Sequence, residues 1–259
     1  FSIMDRLWSH GVSIIFISHF LDEVFQICDR IEVLRDGQNA GTFLTKATNH
    51  DEVLTAMLGR QLADLFPPHA KGPGAAVFTA RGLKARPSIN SVDLSVRQGE
   101  IHGVFGLIGS GIEEIGKILF GEHKAQAGEL TFMGASFTPR SIPEAIQAGI
   151  GFVSGERKSE GIVPDMTLRD NITLPFLQDH TGRLAVSLSS QTTFANKWIE
   201  GLGVISSGPE QKVSGLSGGN QQKICIARWL VEGLRVLILE EPTRGVDLGA
   251  RKEIYAHLR

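Results

Sequence analysis

The chain has 259 residues, of which 42% are hydrophobic, and a formal net charge of −2. This predicts one large or two modest domains with a substantial core, and the scattered basic residues argue against a nucleic-acid-binding surface. Two cysteines, Cys28 and Cys225, in no metal-like spacing, favour a reducing, cytosolic compartment over a disulfide-stapled secreted protein. The apolar runs are too short to span a bilayer, no signal peptide is recognisable, and the first residue, Phe1, suggests a fragment.

The N-terminal part of the chain predicts a strand, a helix and a hairpin in that order. Residues 11–19, GVSIIFISH, are apolar and β-branched, as in a fully buried strand of a parallel sheet. The next residues repeat apolar side chains at helical spacing. Residues 30–43 then predict a hairpin that turns at Asp36 and Gly37.

A linker follows this first group of elements. A further helix over 51–60 is expected to end at Gly59. Residues 64–74, DLFPPHAKGPG, then hold three prolines and two glycines. Such a composition predicts a linker and a domain boundary.

The remainder of the chain alternates strands, loops and helices. Helix and loop are expected over residues 165–212, and this pattern favours an α/β sheet with helical insertions. The predicted strands are 76–83, 89–96, 100–107, 128–134, 149–155 and 236–242. The predicted helices are 113–120, 141–148, 217–233 and 249–259.

Two motifs carry the strongest functional signal. Residues 216–230 read LSGGNQQKICIARWL, and residues 239–247 read LEEPTRGVD. A glycine-rich helix start is common by itself, because helix caps and turns use the same residues. A hydrophobic strand that ends in carboxylates is also common. The two together, in this order and spacing, make a chance resemblance improbable.

These motifs resemble those of the ATP-binding cassette (ABC) ATPases. LSGGNQQ resembles the signature motif, and VLILEEPTRGVD resembles the Walker B segment followed by the D-loop. GGNQQK, EPTRGVD and GERKSEG (155–161) are similar to the sugar-import branch, in which one polypeptide carries two cassettes. Residues 14–37 resemble the tail of a first cassette, with His19 in the switch position.

Residues 106–116, GLIGSGIEEIG, stand where this family has its phosphate-binding loop. In a working loop, backbone N–H groups cradle the phosphates, a lysine neutralises them and a hydroxyl holds Mg²⁺. The backbone cradle is kept by the nucleotide-binding candidates Gly106, Gly109, Ser110 and Gly111. Ile112 removes the cation, and Glu113 places a carboxylate where the hydroxyl belongs. Glu113 and Glu114 also complement the N-terminus of the following helix.

Further positions around this site depart from the family pattern. Glu240 replaces the Walker B aspartate, so a candidate metal ligand remains but its reach to Mg²⁺ is altered. Gly155 stands where the family has an acidic residue or glutamine, and it has no side chain to contact metal or water. No aromatic residue lies near Ala85 and Arg86, where adenine stacking is expected. Several losses around one site indicate decay of the second phosphate site.

The resemblance implies that cassettes pair head to tail, with each nucleotide between one phosphate loop and the other cassette's signature motif. A nucleotide on the first cassette would be covered by Ser217, Gly218, Gly219, Asn220 and Gln221. Asp247 of the D-loop is a further nucleotide-binding candidate. Catalytic roles fall to His19, from the opposite side of that nucleotide, and to Glu241 in the general-base position.

The resemblance divides the chain into the end of a first cassette (1–62), a linker (63–74) and a second cassette truncated before its switch region (75–259). It implies the α/β P-loop NTPase fold, with a mixed sheet core, an antiparallel β subdomain and a helical subdomain. The full-length protein would be the ATP-hydrolysing subunit of a bacterial monosaccharide importer, with ATP and Mg²⁺ as cofactors. This fragment alone is expected to be inactive.

The implied partners are membrane permease subunits, a periplasmic or extracellular sugar-binding protein and a second cassette, with no nucleic acid. The protein would then lie peripherally on the cytoplasmic side of the inner membrane. The region Gly155–Pro175 is the candidate permease contact; a solvated surface loop is the alternative for Arg157, Lys158 and Arg169.

Two other functions remain to be weighed. A non-catalytic nucleotide-binding module that only dimerises or regulates is the alternative function. A soluble translation-type ABC protein is disfavoured, because its linker should be long and basic, unlike DLFPPHAKGPG.

Overall fold

The computed structural model describes residues 2–18, 20–35, 37–59, 74–85, 88–107, 109–181, 185–246 and 248–258. Within them the α-helices are Ser2–Ser9 (α1), Leu21–Ile27 (α2), His50–Leu58 (α3), Ile112–Leu119 (α4), Ile142–Gln147 (α5), Leu168–Thr173 (α6), Leu188–Gly201 (α7), Gly218–Ala227 (α8) and Leu248–His257 (α9). The strands are Arg30–Arg35 (β1), Gln38–Leu44 (β2), Ala76–Ala85 (β3), Ile89–Arg97 (β4), Ala127–Phe132 (β5), Ala135–Ser136 (β6), Ile150–Val153 (β7) and Val236–Leu239 (β8). The chain divides into two compact units, Phe1–Pro68 with Asp247–Arg259, and His69–Val246.

The N-terminal unit contains the predicted hairpin. β1 and β2 pair antiparallel, which confirms the hairpin, although its turn residue Asp36 lies outside the described residues. Alternate residues of β1 point into the core because side chains of a strand face opposite sides in turn. The buried core of this unit consists of Val24, Ile31, Val33 and Val53.

Helix α3 of this unit is closed at both ends by local signals in the sequence. Asn49 is the N-cap, and its side chain accepts a hydrogen bond from the N–H of Glu52. Gly59 is the C-cap with φ +74°, so the predicted helix end is confirmed. The predicted linker 63–74 lies outside the described residues except for Gly74.

The strand predicted over residues 11–19 is wrong for its described part. Residues 12–18 have no regular secondary structure, and Ile15 and Ile17 are more than 90% exposed. A strand of a parallel sheet is stabilised by hydrogen bonds to its neighbours. Among the described residues no strand pairs with this segment, so its β-branched composition alone does not order it.

The second unit contains a four-stranded antiparallel sheet in the order β4-β3-β5-β6. β3 is the central strand, paired with both β4 and β5, and the strands predicted over 76–83, 89–96 and 128–134 are confirmed. Phe78, Leu83 and Phe132 are buried against this sheet. This sheet is the antiparallel β subdomain expected from the sequence.

A second, parallel sheet pairs β7 with β8 over their whole lengths. β7 is fully buried, as expected for a strand covered on both faces. Helix α4 has a buried face formed by Ile115, Ile118 and Leu119. Phe120, just after that helix, stacks on Phe152 of β7 at 5.3 Å between ring centroids, so α4 packs on the parallel pair.

The strand predicted over residues 100–107 is wrong. Residues 101–107 have no regular secondary structure, and Ile101, Phe105 and Leu107 are exposed. The apolar pattern reads as a buried strand, yet within the described part of the chain no strand offers it hydrogen bonds. The glycine loop therefore follows an unpaired segment.

The helical part of the second unit packs α6 between α7 and α8. Buried Asn171 of α6 exchanges hydrogen bonds with the main chain of Val163 (2.8 and 3.0 Å), and its carbonyl accepts one from Arg228 Nε at 2.8 Å. Helix α8 ends at Ala227, earlier than the predicted 233, because the next turns tighten to i→i−3 hydrogen bonds. Among the described residues, no helix has both the length and the apolar character needed to cross a membrane.

Candidate functional site

The N-terminus of α8 presents an exposed serine hydroxyl. Ser217 is the N-cap, and its oxygen accepts hydrogen bonds from the N–H of Asn220 at 3.4 Å and from the Asn220 side-chain amide at 3.0 Å. No acceptor among the described residues takes the hydroxyl's own hydrogen. Helix α8 is ten residues long, and the N–H groups of its first turn have no acceptor within the helix. A hydroxyl donor beside this positive helix end suits a phosphate.

Polar contacts fix the start of α8 in place. The side-chain oxygen of Asn220 accepts a hydrogen bond from the N–H of Ile205 at 3.0 Å. The Gln221 amide donates to two carbonyls of the preceding turn at 3.2 and 3.3 Å. Buried Lys223 donates to the carbonyl of Gly203 at 2.9 Å. A helix held in this way presents its N-terminus in a preorganised position.

The start of α8 also lies directly against the loop after β8. A Cβ atom on Gly218 would stand 3.1 Å from the carbonyl oxygen of Gly245 and 3.2 Å from Nη2 of Arg157. Glycine permits this approach because it has no side chain. The signature glycine and the loop 241–246 therefore form one continuous surface.

The glycine loop before α4 keeps its turn, but side chains of the loop and of the helix start pack against Gly106. Gly111 is the N-cap of α4 with φ +91°, and a Cβ there would meet Ile89 at 2.9 Å, so a glycine is required. A Cβ on Gly106 would lie 2.6 Å from Ser110 Oγ and 2.9 Å from Cγ2 of Ile112. An aliphatic side chain thus lies against the glycine at the position where a lysine would neutralise phosphate.

The helix after this loop already carries negative charge at its N-terminus. Glu113 and Glu114 stand in the first turn of α4, where carboxylates interact favourably with the helix dipole. Glu114 also bonds to His123, with 2.7 Å between Oε2 and Nδ1, whereas Glu113 is exposed. These carboxylates repel the polyphosphate that a working loop attracts.

Glu240, the candidate metal ligand, is bonded to the main chain. Its N–H donates to the carbonyl of Val153 at 2.9 Å, which extends the β7–β8 pairing by one bond. Its Oε2 accepts a hydrogen bond from the N–H of Gly155 at 3.1 Å. The longer glutamate side chain therefore reaches the backbone of Gly155. The two positions that depart from the family pattern thus contact each other.

Mg²⁺ does not fit the residues around this second phosphate site. In the part of the chain that the structure describes, no three His, Cys, Asp or Glu side chains cluster as a metal site. The hydroxyl position of the loop is Glu113, and one oxygen of Glu240 is engaged by Gly155. The donor set lacks the hydroxyl with which such loops hold the ion, and Glu240 offers only the oxygen that Gly155 does not engage.

Glu241, the candidate general base, has a strained backbone. Its φ is +39°, in the left-handed region that non-glycine residues rarely adopt, and such strain is frequent at functional sites. Its carboxylate lies 3.5 Å from Nε of Arg244, whose Nη1 is 2.5 Å from Oε1 of Glu156. All three side chains are more than half exposed, so these pairs add little stability. They join the segment 154–161 to the loop 241–246.

The structure places the predicted site residues in two groups. Ser217–Gln221 at the start of α8 adjoin the loop that carries Glu240 and Glu241. No hydrogen bond within the described ranges joins the glycine loop 106–111 to that group. His19 and Asp247 lie outside the described residues, so their roles remain predictions.

Sequence reasoning missed the part played by two arginines. Arg157 and Arg169 were read only as permease contacts or solvated charges. Arg169 instead pairs with Asp170 at 3.1 Å and with Glu210. The guanidinium of Arg157 lies against Gly218, and nothing in the sequence pattern indicated a contact across that distance along the chain.

Three features together define an ATP-binding cassette. They are a parallel β pair with a glycine loop and helix, a strand that ends in carboxylates, and a glycine-rich helix capped by a serine. The chain belongs to the ABC transporter family, whose model matches residues 89–244, more than half of it. Family membership implies nucleotide binding, and the fold is the α/β P-loop NTPase cassette expected from the sequence.

Two solved cassettes share this fold. The ATP-binding cassette MJ1267 of an ABC transporter is 21% identical, with a TM-score of 0.58, and the match covers 71% of this chain and 76% of that one. The cassette MJ0796, in a dimeric post-hydrolysis state with ADP and phosphate, is 23% identical, with a TM-score of 0.58 and coverage of 70% and 81%. At such identities the likeness concerns the fold alone.

Several similar curated proteins are named ribose import ATP-binding protein RbsA. The one from Halalkalibacterium halodurans is 42% identical over 255 residues, covering 98% of this chain and 51% of the relative. The one from Bacillus subtilis is 40% identical over 255 residues, covering 98% and 52%. This chain spans about half the length of the curated relatives it matches.

Proposed function

We propose that this chain is part of the ATP-binding subunit of a bacterial importer that couples ATP binding and hydrolysis to monosaccharide uptake. The observation that carries the proposal is a contrast between two surfaces of the second cassette. One is the signature face, formed by residues 217–221 at the start of α8, and the other is the phosphate loop, residues 106–113. The signature face offers the exposed Ser217 hydroxyl, whose own hydrogen has no acceptor among the described residues, at a fixed helix N-terminus. The phosphate loop of the same cassette has Ile112 and Glu113 in place of its cation and hydroxyl. The similar proteins named for ribose import supply the substrate class.

In the proposed arrangement one polypeptide carries two cassettes. Residues 1–62 end the first, residues 63–74 link the two, and residues 75–259 belong to the second. Relatives of about twice this length support such a division. The signature face of the second cassette then covers ATP and Mg²⁺ held by the first, and His19 approaches that nucleotide from the first cassette. The second phosphate site is degenerate and contributes little to turnover.

The proposed partners follow from the import function. Membrane permease subunits would contact the segment Gly155–Pro175, and a periplasmic or extracellular binding protein would deliver the sugar. The assembly would lie on the cytoplasmic side of the inner membrane. A non-catalytic nucleotide-binding module that regulates or dimerises is the second candidate, favoured by Ile112 at the lysine position and by the bonded Glu240.

Reconstitution of the full-length protein with its permease in vesicles tests the proposal. We expect ribose uptake that requires ATP and Mg²⁺, with an ATPase rate on the order of one per second, as for many enzymes of modest turnover. Vesicles that lack the permease are the matched control. Nucleotide binding without hydrolysis or uptake of any monosaccharide would favour the regulatory module and contradict the importer.

A further inference from the structure

Arg157 occupies an unusual backbone segment next to the signature face. It begins a π-helical turn, Arg157–Gly161. Turns of this kind are rare in proteins, and those that occur are often found at functional sites. A Cβ on Gly161 would lie 3.5 Å from Cγ of Arg157, so the arginine stem packs closely on this turn. The position of the guanidinium is therefore set by the fold of its own segment.

The guanidinium reaches two distant parts of the chain at once. Nη1 lies 3.3 Å from the carbonyl oxygen of Arg244 and 3.5 Å from Oε1 of the buried Gln222 in α8. Nη2 lies 3.2 Å from the place where Gly218 would carry a Cβ, and 3.9 Å from the same place on Gly245. One planar side chain thus contacts both the start of α8 and the loop 241–246.

Stability alone does not account for this placement. The positive end of the α8 dipole makes a cation unfavourable there, and no carboxylate of the described residues pairs with Arg157. Its Nε is buried and has no acceptor among the described residues, which costs free energy. A side chain kept in such surroundings is better explained by the geometry that it imposes on its neighbours.

We propose that Arg157 is a positioning residue that holds the signature segment 217–222 and the loop 241–246 in fixed relation. The segment 155–161, which lies within the candidate permease contact, thereby controls the shape of the surface that covers the nucleotide. This inference rests on the proposed function for its effect on turnover, but the contact itself belongs to this chain. The planar arginine fork serves both acceptors, whereas a lysine ammonium on a flexible stem does not fix their geometry.

Hydrogen exchange on this chain tests the positioning directly. In Arg157→Met, which keeps the apolar stem, we expect amides of residues 220–224 and 244–246 to exchange at least about threefold faster, because local opening becomes easier. Arg157→Lys should show the same change. Lys158→Met removes the neighbouring exposed charge and is the matched control, with exchange unchanged. Equal exchange in Arg157→Met and Lys158→Met, or full rescue by lysine, would overturn the inference.

Steady-state kinetics of the reconstituted full-length protein separate positioning from simple destabilisation. We expect kcat of Arg157→Met to fall about tenfold or more at an unchanged melting temperature, with KM for ATP altered less than about twofold. Lys124→Met, which removes an exposed charge outside the candidate permease contact, should match the wild type. A fall that only follows a lower melting temperature would contradict a positioning role. If the wild type showed no ATP-driven uptake, the proposed function would fail, while the exchange experiment would still decide the role of Arg157.

Discussion

Replacing Ser217 with alanine in the full-length protein is expected to lower ATPase activity and sugar uptake by about a hundredfold, typical of removing one preorganised donor to developing charge. The Ser217 hydroxyl has no acceptor among the described residues and stands at the α8 N-terminus, where a phosphate is favoured. Gly218→Asp should abolish both activities, because its side chain enters the 3.1 Å approach to Gly245 and adds negative charge. Uptake and ATPase assays in vesicles measure both effects.

A matched control removes the contribution of helix capping. Ser187 is the N-cap of α7 and accepts a hydrogen bond from the N–H of Ser190, as Ser217 does for α8. Ser187→Ala therefore loses a similar cap, about 1 kcal/mol of stability, on a helix outside the signature segment. It should retain near-normal uptake. Equal losses in Ser187→Ala and Ser217→Ala would mean that capping, rather than phosphate contact, explains the effect.

The second phosphate site should tolerate change in the same assays. Gly109→Ala and Glu241→Gln alter the proposed degenerate site, whose loop has Ile112 at the lysine position, so transport should be partly retained. His19→Ala should resemble the signature variants, because it would serve the nucleotide that they cover. Loss of both activities in Glu241→Gln, with Ser217→Ala and His19→Ala tolerated, would contradict the assigned asymmetry.

Restoring the phosphate loop with Ile112→Lys and Glu113→Thr is expected to tighten nucleotide binding by this chain about tenfold or more, equivalent to about 1.4 kcal/mol. The double substitution replaces the methyl group against Gly106 with a cation and removes an exposed carboxylate from the first turn of α4. Charge-assisted bonds of the kind regained contribute about 1.5–3 kcal/mol each. Calorimetric titration with ATP measures the change.

Glu113→Thr alone is the matched control for this experiment. It removes the repulsive carboxylate without supplying a cation, so its affinity should lie between those of the wild type and the double variant. Melting temperatures should stay close, because Glu113 is exposed and Glu114 still complements the helix dipole. Unchanged affinity in a folded double variant would show that the loop fails for reasons other than its side chains.

Local signals in the sequence were sufficient for much of the fold. The hairpin, the end of α3 at Gly59 and the glycine-rich start of α8 depend on residues near one another in the chain, so their patterns predicted them. Strands β7 and β8 were indicated by short apolar runs, but their pairing with each other was not. The segments 12–18 and 101–107 were mistaken for strands, because a strand also needs a neighbour and composition does not reveal one.

The candidate site was likewise predicted from the sequence only in part. The motif residues of α8 were identified from the sequence, since capping and glycine content are local. The contact of Glu240 with Gly155 was not, because it joins residues 85 positions apart and each looked like an independent loss. Arg157 was missed for the same reason, as its acceptors lie in α8 and in the loop after β8.

Calorimetry of ATP binding to this chain, with and without Mg²⁺, tests the degeneracy of the second phosphate site most directly. The glycine backbone of the loop remains, but its cation and hydroxyl are absent and Glu240 is bonded to Gly155. We therefore expect weak binding whose affinity is nearly the same after chelation of Mg²⁺. Micromolar binding, about −8 kcal/mol, that disappears on chelation would show that Glu113 and Glu240 build a metal site and would contradict the account.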